Sequence, residues 1–238
     1  MRRVFIGIIF ICGLFLTGCT GGFSNPGSVT TRDFDVEEFH SLEVGFPFEI
    51  VWSESAESTV TITMGQNLFN RLDVSVRQGV LRLTNSGGSI NINTTRNMPR
   101  LYITSPSMES VNISSAASIS GWDTITSDEF RMNVSGAASV NLDLDVNDFN
   151  ATFSGASSVN LSGQGNNADI TSSGAASISA FDLQLLNGNV VLSGAGSVEI
   201  NASNELDVRL SGVGSITYMG NPQITRSVSG IGTIRQAN

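Results

Sequence analysis

Side chains that perform acid–base or nucleophilic chemistry are few in this chain and are not grouped in the sequence. His40 is the only histidine, and a serine nucleophile requires a histidine base that is itself oriented by an acid. Serines occur along the whole chain, whereas His40 precedes the repeated segment in which they are most regular. We therefore expect His40 to be a surface residue of a strand.

The strongest metal-binding candidate is the acidic segment NLDLDVNDF, which contains Asp143, Asp145, Asn147 and Asp148. Its D-x-D-x-N opening is similar to that of a calcium loop, in which oxygen ligands converge on one cation. Such a loop has glycine at its sixth position and glutamate at its twelfth, where this chain has Asp148 and Ser154. The alternation of acidic with apolar residues predicts instead a strand with an exposed acidic face. Calcium binding is the weaker alternative.

Four aromatic residues could stack on sugars if they clustered on an outer face: Trp52, Tyr102, Trp122 and Tyr218. Isolated aromatic residues of this kind more often complete a core. Enzymes built on parallel β-helices place acids and bases in a surface groove, but the repeated positions here are Ser, Gly and Ala, which supply neither. The sequence therefore predicts no enzymatic activity and no cofactor, with a carbohydrate-binding or carbohydrate-cleaving β-helix as the alternative.

The charge of the chain argues against one class of partner. Every one of its 12 basic residues is arginine, against 21 acidic residues, which gives a net charge of −9. Affinity for nucleic acid comes largely from neutralised phosphates, so this chain is a poor candidate for a nucleic-acid-binding protein. A hydrophobic fraction of 40% is nevertheless sufficient to form a core.

Residues 1–18 are typical of a lipoprotein signal peptide. A basic MRR precedes the apolar run VFIGIIFICGLFL, which is too short for a comfortable membrane span. The following LTGC is similar to the bacterial lipobox, and this resemblance implies that Cys19 is acylated and attaches the chain to a membrane. Thr20, in place of aspartate, implies the outer membrane, with its periplasmic or its external side left open. Residues 19–33 are expected to form a flexible tether.

The positions of the remaining elements depend on a six-residue phrase that recurs through the second half of the chain. Its copies are SSAASI at 114, SGAASV at 135, SGASSV at 154, SGAASI at 173, SGAGSV at 193, SGVGSI at 211 and SGIGTI at 229. A stable period near 20 residues indicates stacked coils, and the period-two alternation around each copy indicates strands. The sequence therefore predicts an all-β parallel β-solenoid, or β-helix, with about 18–21 residues per coil.

Aligned by coil, the phrase assigns a role to each column of residues. A β-branched column is expected to lie in the core: Val140, Val159, Ile178, Val198, Ile216 and Ile234. A glycine column marks a tight bend where a Cβ would collide or φ must be positive: Gly136, Gly155, Gly174, Gly194, Gly212 and Gly230. A hydroxyl column should face away from the valines: Ser139, Ser158, Ser177, Ser197, Ser215 and Thr233.

The third and fourth residues of the phrase change together along the chain. The third grows from Ala137 to Val213 and Ile231, while the fourth shrinks from Ala138 to Gly214 and Gly232. We interpret this trend as a bend that tightens toward the C-terminus, with the larger third residue packing where space opens.

The order of these segments resembles the head GIN domain of auto-transporter adhesins. The resemblance is carried by FHSLEVGFPFEIVWSES, STVTITMGQNLFNRLDVSVRQGVLRLTN and MPRLYITSPSMESVNIS, followed by the SGAxSV array. It implies a right-handed all-β solenoid, often on exported or lipid-anchored proteins, without assigned catalytic residues. The domain would span residues 34–238, with irregular N-terminal and capping coils at 34–112 and regular repeats at 113–238. Ser115 departs from the pattern because glycine is expected there.

Together these features favour a non-enzymatic, lipid-anchored module of the cell envelope that acts as an adhesin or as an interaction or structural scaffold, with an unspecified protein or glycan ligand. A periplasmic structural or sensory role is a further alternative. The last copy of the phrase is followed by one strand and no evident cap, so its edge could pair with another chain. Arg226 and Arg235 would guard that edge, which leaves self-association open.

Overall fold

The structure, a computed structural model, describes residues 26–87, 98–120 and 123–237. The proposed leader, Cys12, Cys19 and Trp122 lie outside the described residues. The first half of the described chain contains one short 3₁₀ helix, Gln66–Arg71, and nine strands: β1 Val29–Phe34, β2 Ser41–Val44, β3 Phe48–Glu54, β4 Thr59–Gly65, β5 Leu72–Arg77, β6 Val80–Asn85, β7 Arg100–Ser105, β8 Ser110–Ile113 and β9 Ala117–Ile119.

The second half consists of five longer strands that continue around the coil, followed by three short strands. They are β10 Ile125–Val134, β11 Ala137–Phe153, β12 Ala156–Ser172, β13 Ala175–Leu192, β14 Ala195–Leu210, β15 Val213–Met219, β16 Gln223–Val228 and β17 Ile231–Gln236. No helix in the described part of the chain is long and apolar enough to cross a membrane.

Neighbouring coils pair in parallel and in the register that the repeat predicts. Val140 pairs with Val159, and Val159 pairs with Ile178 in the next coil. Because parallel strands join through a crossover, one circuit of the chain connects each pairing to the next. The prediction of an all-β parallel β-solenoid is confirmed.

The β-branched column lies in the core, as predicted, over five of its six positions. Val140, Val159, Ile178, Val198 and Ile216 are at most 1% exposed. Ile234 is only partly buried, because it belongs to β17, and in the described residues no further coil covers that strand. The sixth position therefore corrects the prediction: the column reaches the core boundary there.

Close approach of the backbone, rather than a positive φ, accounts for the glycine column. A Cβ at Gly155 would overlap the carbonyl oxygen of Gly136 one coil earlier, and the same holds at every later copy. None of the six column glycines has a positive φ. The same carbonyl accepts a hydrogen bond, since the amide of Ala156 donates to Gly136 O at 3.2 Å. The column thus lets successive corners stack directly on one another.

The segment VGFPFEI forms a corner of the same kind, although it does not contain the phrase. Val44 O accepts the amide of Ser114 at 3.0 Å, just as Ile113 O accepts the amide of Ser135 at 2.9 Å. Strand β3 pairs in parallel with β9, placing Phe48 against Ala117 and Ile50 against Ile119. The coil of β2 and β3 lies between that of β8 and β9 and that of β6 and β7, so the N-terminal coils do not follow chain order.

Antiparallel strands close the N-terminal end of the stack. Strand β5 pairs antiparallel with β6, and β4 pairs antiparallel with β7. Strand β1 adds to the outer side of β4, from Val29 opposite Gly65 to Phe34 opposite Val60. Residues 29–33 therefore belong to the domain and not to the tether, which corrects the boundary expected at residue 34.

The third residue of the phrase does not pack into space that opens at the bend, contrary to our interpretation. Val213 is 56% exposed and Ile231 is 78% exposed, because this position points outward in every copy. The glycine at the fourth position has a separate cause: a Cβ at Gly214 would overlap the carbonyl oxygen of Gly196.

Candidate functional site

His40 does not form part of a catalytic triad with its neighbours. Its Nδ1 lies 3.0 Å from Glu109 Oε2 and 3.3 Å from Ser41 Oγ. A triad requires the acid and the serine at different ring nitrogens, whereas both contact Nδ1 here. Nε2 faces Gly79, where a Cβ would overlap it. The histidine joins the start of β2 to the residue preceding β8, which is a structural contact.

The residues considered as weak calcium candidates lie inside β11, so they do not form a loop around a cation. Asp143 accepts hydrogen bonds from Thr124 Oγ1 at 2.6 Å and from Ser162 Oγ at 3.0 Å. Asp145 accepts one from Gln164 Nε2, also at 3.0 Å. Each carboxylate is thus paired with side chains of the adjacent coils.

The other two candidates form hydrogen bonds with the coils on opposite sides of β11. Asp148 accepts a hydrogen bond from Asn167 at 2.8 Å, and Asn147 donates to Asp128 at 2.9 Å. Within residues 26–87, 98–120 and 123–237, no group of three or more His, Cys, Asp or Glu side chains could hold a metal ion. The acidic strand face is the arrangement observed.

Amide side chains extend these contacts into ladders along the stack. Asn167 donates to Asp148, Asn187 donates to Asn167 at 2.9 Å, and Asn204 donates to Asn187 at 2.9 Å. Each of these amides donates toward the N-terminal coil, so this ladder ends on the carboxylate of Asp148. Stacked amides of this kind stabilise parallel in-register strands. We call this chain of four residues the amide ladder.

A shallow groove of about 540 Å³ runs beside the amide ladder. Its polar lining consists mostly of amides. Asp145, Gln164, Gln184 and Asn201 occupy one position of successive coils, and Asn147, Asn166 and Ser203 complete the lining. Leu186, which is 49% exposed, supplies an apolar patch. We call this surface the amide groove. With one carboxylate among seven polar side chains, it can offer donors and acceptors to hydroxyl groups.

A second groove, of about 480 Å³, lies on the other side of the amide ladder and is more highly charged. It is lined by Asp148, Asp169, Glu205, Asp207 and Arg209 among other residues. Arg209 donates a hydrogen bond to Asp207 at 2.6 Å, so its charge is already paired. This groove has a net negative charge and is unsuited to an anionic ligand.

The three aromatic candidates among the described residues do not form a sugar-binding platform. Trp52 is 1% exposed, and its Nε1 donates to Ser105 Oγ at 2.8 Å inside the core. Tyr102 is 41% exposed on β7, and Tyr218 lies partly buried on β15. The two tyrosines lie seven strand positions apart in the stack, which corresponds to about 34 Å at roughly 4.8 Å per strand.

An ion pair beside Tyr102 has a structural role. Arg100 Nε donates to Glu49 Oε2 at 3.1 Å, and this hydrogen bond raises the pKa of Arg100 above its ordinary value. Arginine is already fully charged in the physiological range. The pair therefore joins β7 to β3 without creating a group that titrates.

Sequence reasoning missed the amide groove because the repeat was aligned only at its corners. Gln164, Asn166 and Gln184 lie between two copies of the phrase, where coil length varies and register shifts occur. The signal was nevertheless present, since Asn166 follows Asn147 by 19 residues, the same interval that separates the copies of the phrase at 135, 154 and 173.

The chain is similar to one described protein family and to several solved structures. Residues 38–222 match the family described as "Putative auto-transporter adhesin, head GIN domain". Among solved structures, a "putative adhesin" from Bacteroides fragilis is 26% identical with a TM-score of 0.82. The match covers 88% of this chain and 97% of that one. No curated protein matches the sequence.

Two structures from Parabacteroides distasonis share the fold at lower identity. One is described as a "putative adhesin", with 20% identity and a TM-score of 0.66 over 89% of this chain and 98% of that one. The other is described as a "putative lipid binding protein", with 19% identity and a TM-score of 0.65 over the same shares of each chain.

Proposed function

Because the chain belongs to the head GIN domain family of auto-transporter adhesins, we propose that it is a non-enzymatic module of the bacterial cell envelope that mediates adhesion or serves as a scaffold. The adhesin description of the Bacteroides fragilis relative, which matches along almost its full length, supports this role. The domain would act through the outer surface of its coils.

One observation carries the proposal: two outward columns contain short polar side chains that bond to their equivalents in the next coil. The hydroxyls of Ser177 and Ser197 lie 3.3 Å apart. The amide ladder likewise joins equivalent side chains of successive coils. Such columns form a stiff, extended surface suited to contact over many positions. They bring no acid, base and nucleophile together, so the proposed activity is binding.

The proposed attachment to the membrane is through an acylated Cys19. Residues 20–28 then separate the lipid from β1, and nine residues span at most about 32 Å. Two or more acyl chains hold a protein on a membrane far longer than one. We expect labelled palmitate to be incorporated into the chain in vivo and to be lost in Cys19→Ala. Incorporation that persists in Cys19→Ala would contradict the anchor.

Display on the cell surface can be tested by placing one thiol on the hydroxyl column. The mature chain would contain no cysteine besides the acylated Cys19, so Ser177→Cys introduces the only reactive thiol. We expect a membrane-impermeant maleimide to label Ser177→Cys on intact cells. Ser172→Cys is the matched control, because Ser172 is completely buried and should not react. Labelling of Ser177→Cys only after permeabilisation would place the domain in the periplasm.

The amide groove favours a second candidate function, the binding of a neutral glycan. Amide side chains donate to and accept from sugar hydroxyls, and Leu186 could contact an apolar sugar face. The net charge of −9 disfavours acidic sugars. We expect a protein of residues 20–238 to bind neutral oligosaccharides on a glycan array. The double variant Gln164→Ala, Gln184→Ala should bind them at least tenfold more weakly. Equal binding by the double variant would exclude the groove.

A further inference from the structure

We propose that Arg226 keeps the C-terminal edge of the solenoid from pairing with a second copy of this chain. The inference concerns assembly and is independent of the proposed adhesive role. It rests on the place of Arg226 in the register of the coils, on the apolar side chains around it, and on the unpaired outer edges of β16 and β17.

Arg226 occupies an inward position that is apolar in every coil before it. Strand β16 pairs with β14 so that Arg226 lies opposite Val208. Following the register back through the stack gives the rest of this column: Val190, Ile170, Ala151 and Met132. All five are at most 3% exposed, whereas Arg226 is exposed.

The residues on either side of Arg226 continue the core pattern. Ile224 lies opposite Leu206, and Val228 lies opposite Leu210, so the inner face of β16 reads apolar, charged, apolar. A coil stacked on this face would bury the guanidinium without a partner, which is among the costliest changes in a protein interior. An inward-pointing charge on an edge strand is a known way to prevent edge-to-edge pairing.

Apart from Arg226, the edge is suited to pairing. In the described part of the chain, β16 pairs only with β14 and β17 only with β15. Their other edges therefore present unpaired backbone groups. Val228, at an inward position, is 49% exposed, and Ile224 and Ile234 are only partly buried, so a covering strand would bury apolar area.

The covering strand fits best if it comes from a second copy. Packing against Ile224, Val228 and the partly buried Ile234 requires a coil with apolar residues at the same inward positions. Only the last coil of another copy has such a face exposed among the described residues, since the N-terminal end is closed by β1, β4 and β5. A two-fold axis would place the same residues of both copies in contact, as in most dimers.

Replacing Arg226 by valine, the residue at this position in the two preceding coils, tests the proposal. The chain of residues 20–238 contains every described residue, and its mass in solution can be measured by light scattering. We expect the unaltered chain to have the mass of one copy and Arg226→Val to have that of two or more. Arg235→Val is the matched control: it removes the same charge and adds the same side chain, but Arg235 lies in an outward column opposite Thr217. It should remain a monomer.

Hydrogen exchange locates the contact. In the Arg226→Val assembly, exchange should slow in β16 and β17 and stay unchanged in β5 and β1. If Arg226→Val does not fold, Arg226→Met provides the same test with a longer apolar side chain. The proposal is overturned if the unaltered chain already associates, if the folded Arg226 variants remain monomers, if Arg235→Val associates equally, or if protection appears elsewhere.

Discussion

The two ends of the solenoid end the same stack in different ways. At the N-terminal end the outermost parallel strands are covered by antiparallel partners, and large aromatic residues fill the space inside: Phe39, Phe46, Phe48 and Trp52 are at most 1% exposed. At the C-terminal end, β16 and β17 keep the regular repeat, and Val228, which lies opposite the buried Leu210, remains 49% exposed. Antiparallel strands cover the core at the N-terminal end, whereas a charged residue, Arg226, ends the stack at the C-terminal end.

This difference shows that the repeat sets the shape of a coil but not the way in which the stack ends. A coil that copies its neighbour always exposes another pairing edge, so ending a stack requires a departure from the pattern. At the N-terminal end, several antiparallel strands depart from the pattern. At the C-terminal end, the departure is Arg226, a single arginine in an apolar column.

The largest expected effect is a difference in the free energy of unfolding between a substitution at the packed N-terminal end and one at the open C-terminal end. Phe48→Ala removes a fully buried ring that lies 5.2 Å, between centroids, from Phe46. It should lower the free energy of unfolding by about 3–5 kcal/mol. Val228→Ala, at an inward position of the open end, should lower it by less than about 1 kcal/mol, because Val228 is already 49% exposed. Urea melts of the two variants measure both values. Equal losses would mean that the C-terminal end is covered in solution.

The next effect compares a corner in the regular stack with one at the irregular end. Gly155→Ala forces a Cβ against the carbonyl of Gly136 and should cost about 1–3 kcal/mol through backbone displacement. Gly45→Ala is its control, since the nearest atom to a Cβ there is 3.6 Å away. Chemical denaturation should show Gly45→Ala within about 0.5 kcal/mol of the parent. A larger loss for Gly45→Ala than for Gly155→Ala would refute the stacking explanation of the glycine column.

The smallest effect concerns two buried serines with different surroundings. Ser105 Oγ accepts a hydrogen bond from Trp52 and donates to Ser107 O at 2.7 Å, whereas the Ser172 hydroxyl is buried without a partner. Ser105→Ala should therefore lose about 1 kcal/mol, and Ser172→Ala should gain a similar amount. Thermal melts of both variants determine the signs. A loss of stability in Ser172→Ala would show that its hydroxyl is satisfied in solution.

The regular part of the fold could be predicted from the sequence because each coil repeats the same constraints. The positions of Gly155 and Val159 recur in each coil of the regular repeat. This recurrence predicts that equivalent residues pair in parallel and that the β-branched column is buried. The acidic strand face followed from the alternation of Asp143 and Asp145 with apolar residues in the same way.

The N-terminal corner could not be predicted because it satisfies the same backbone geometry with different residues. Phe46 takes the position of Gly136 and is buried there beside Phe48. The strand β1 was missed for a related reason: VTTRDF has no apolar alternation, since it adds to the outer edge of β4. The inward direction of Arg226 depends on register, which its sequence neighbours do not reveal.

Hydrogen exchange of the unaltered chain, measured by mass spectrometry, tests the contrast between the two ends most directly. Amides of β6 and β7, covered by antiparallel strands, should be protected nearly as well as those of β12 and β13. Amides of β16 and β17 should exchange fastest among the strands of the regular repeat, because local opening there breaks pairing on one side only. Protection of β16 and β17 equal to that of β12 would contradict an open C-terminal end.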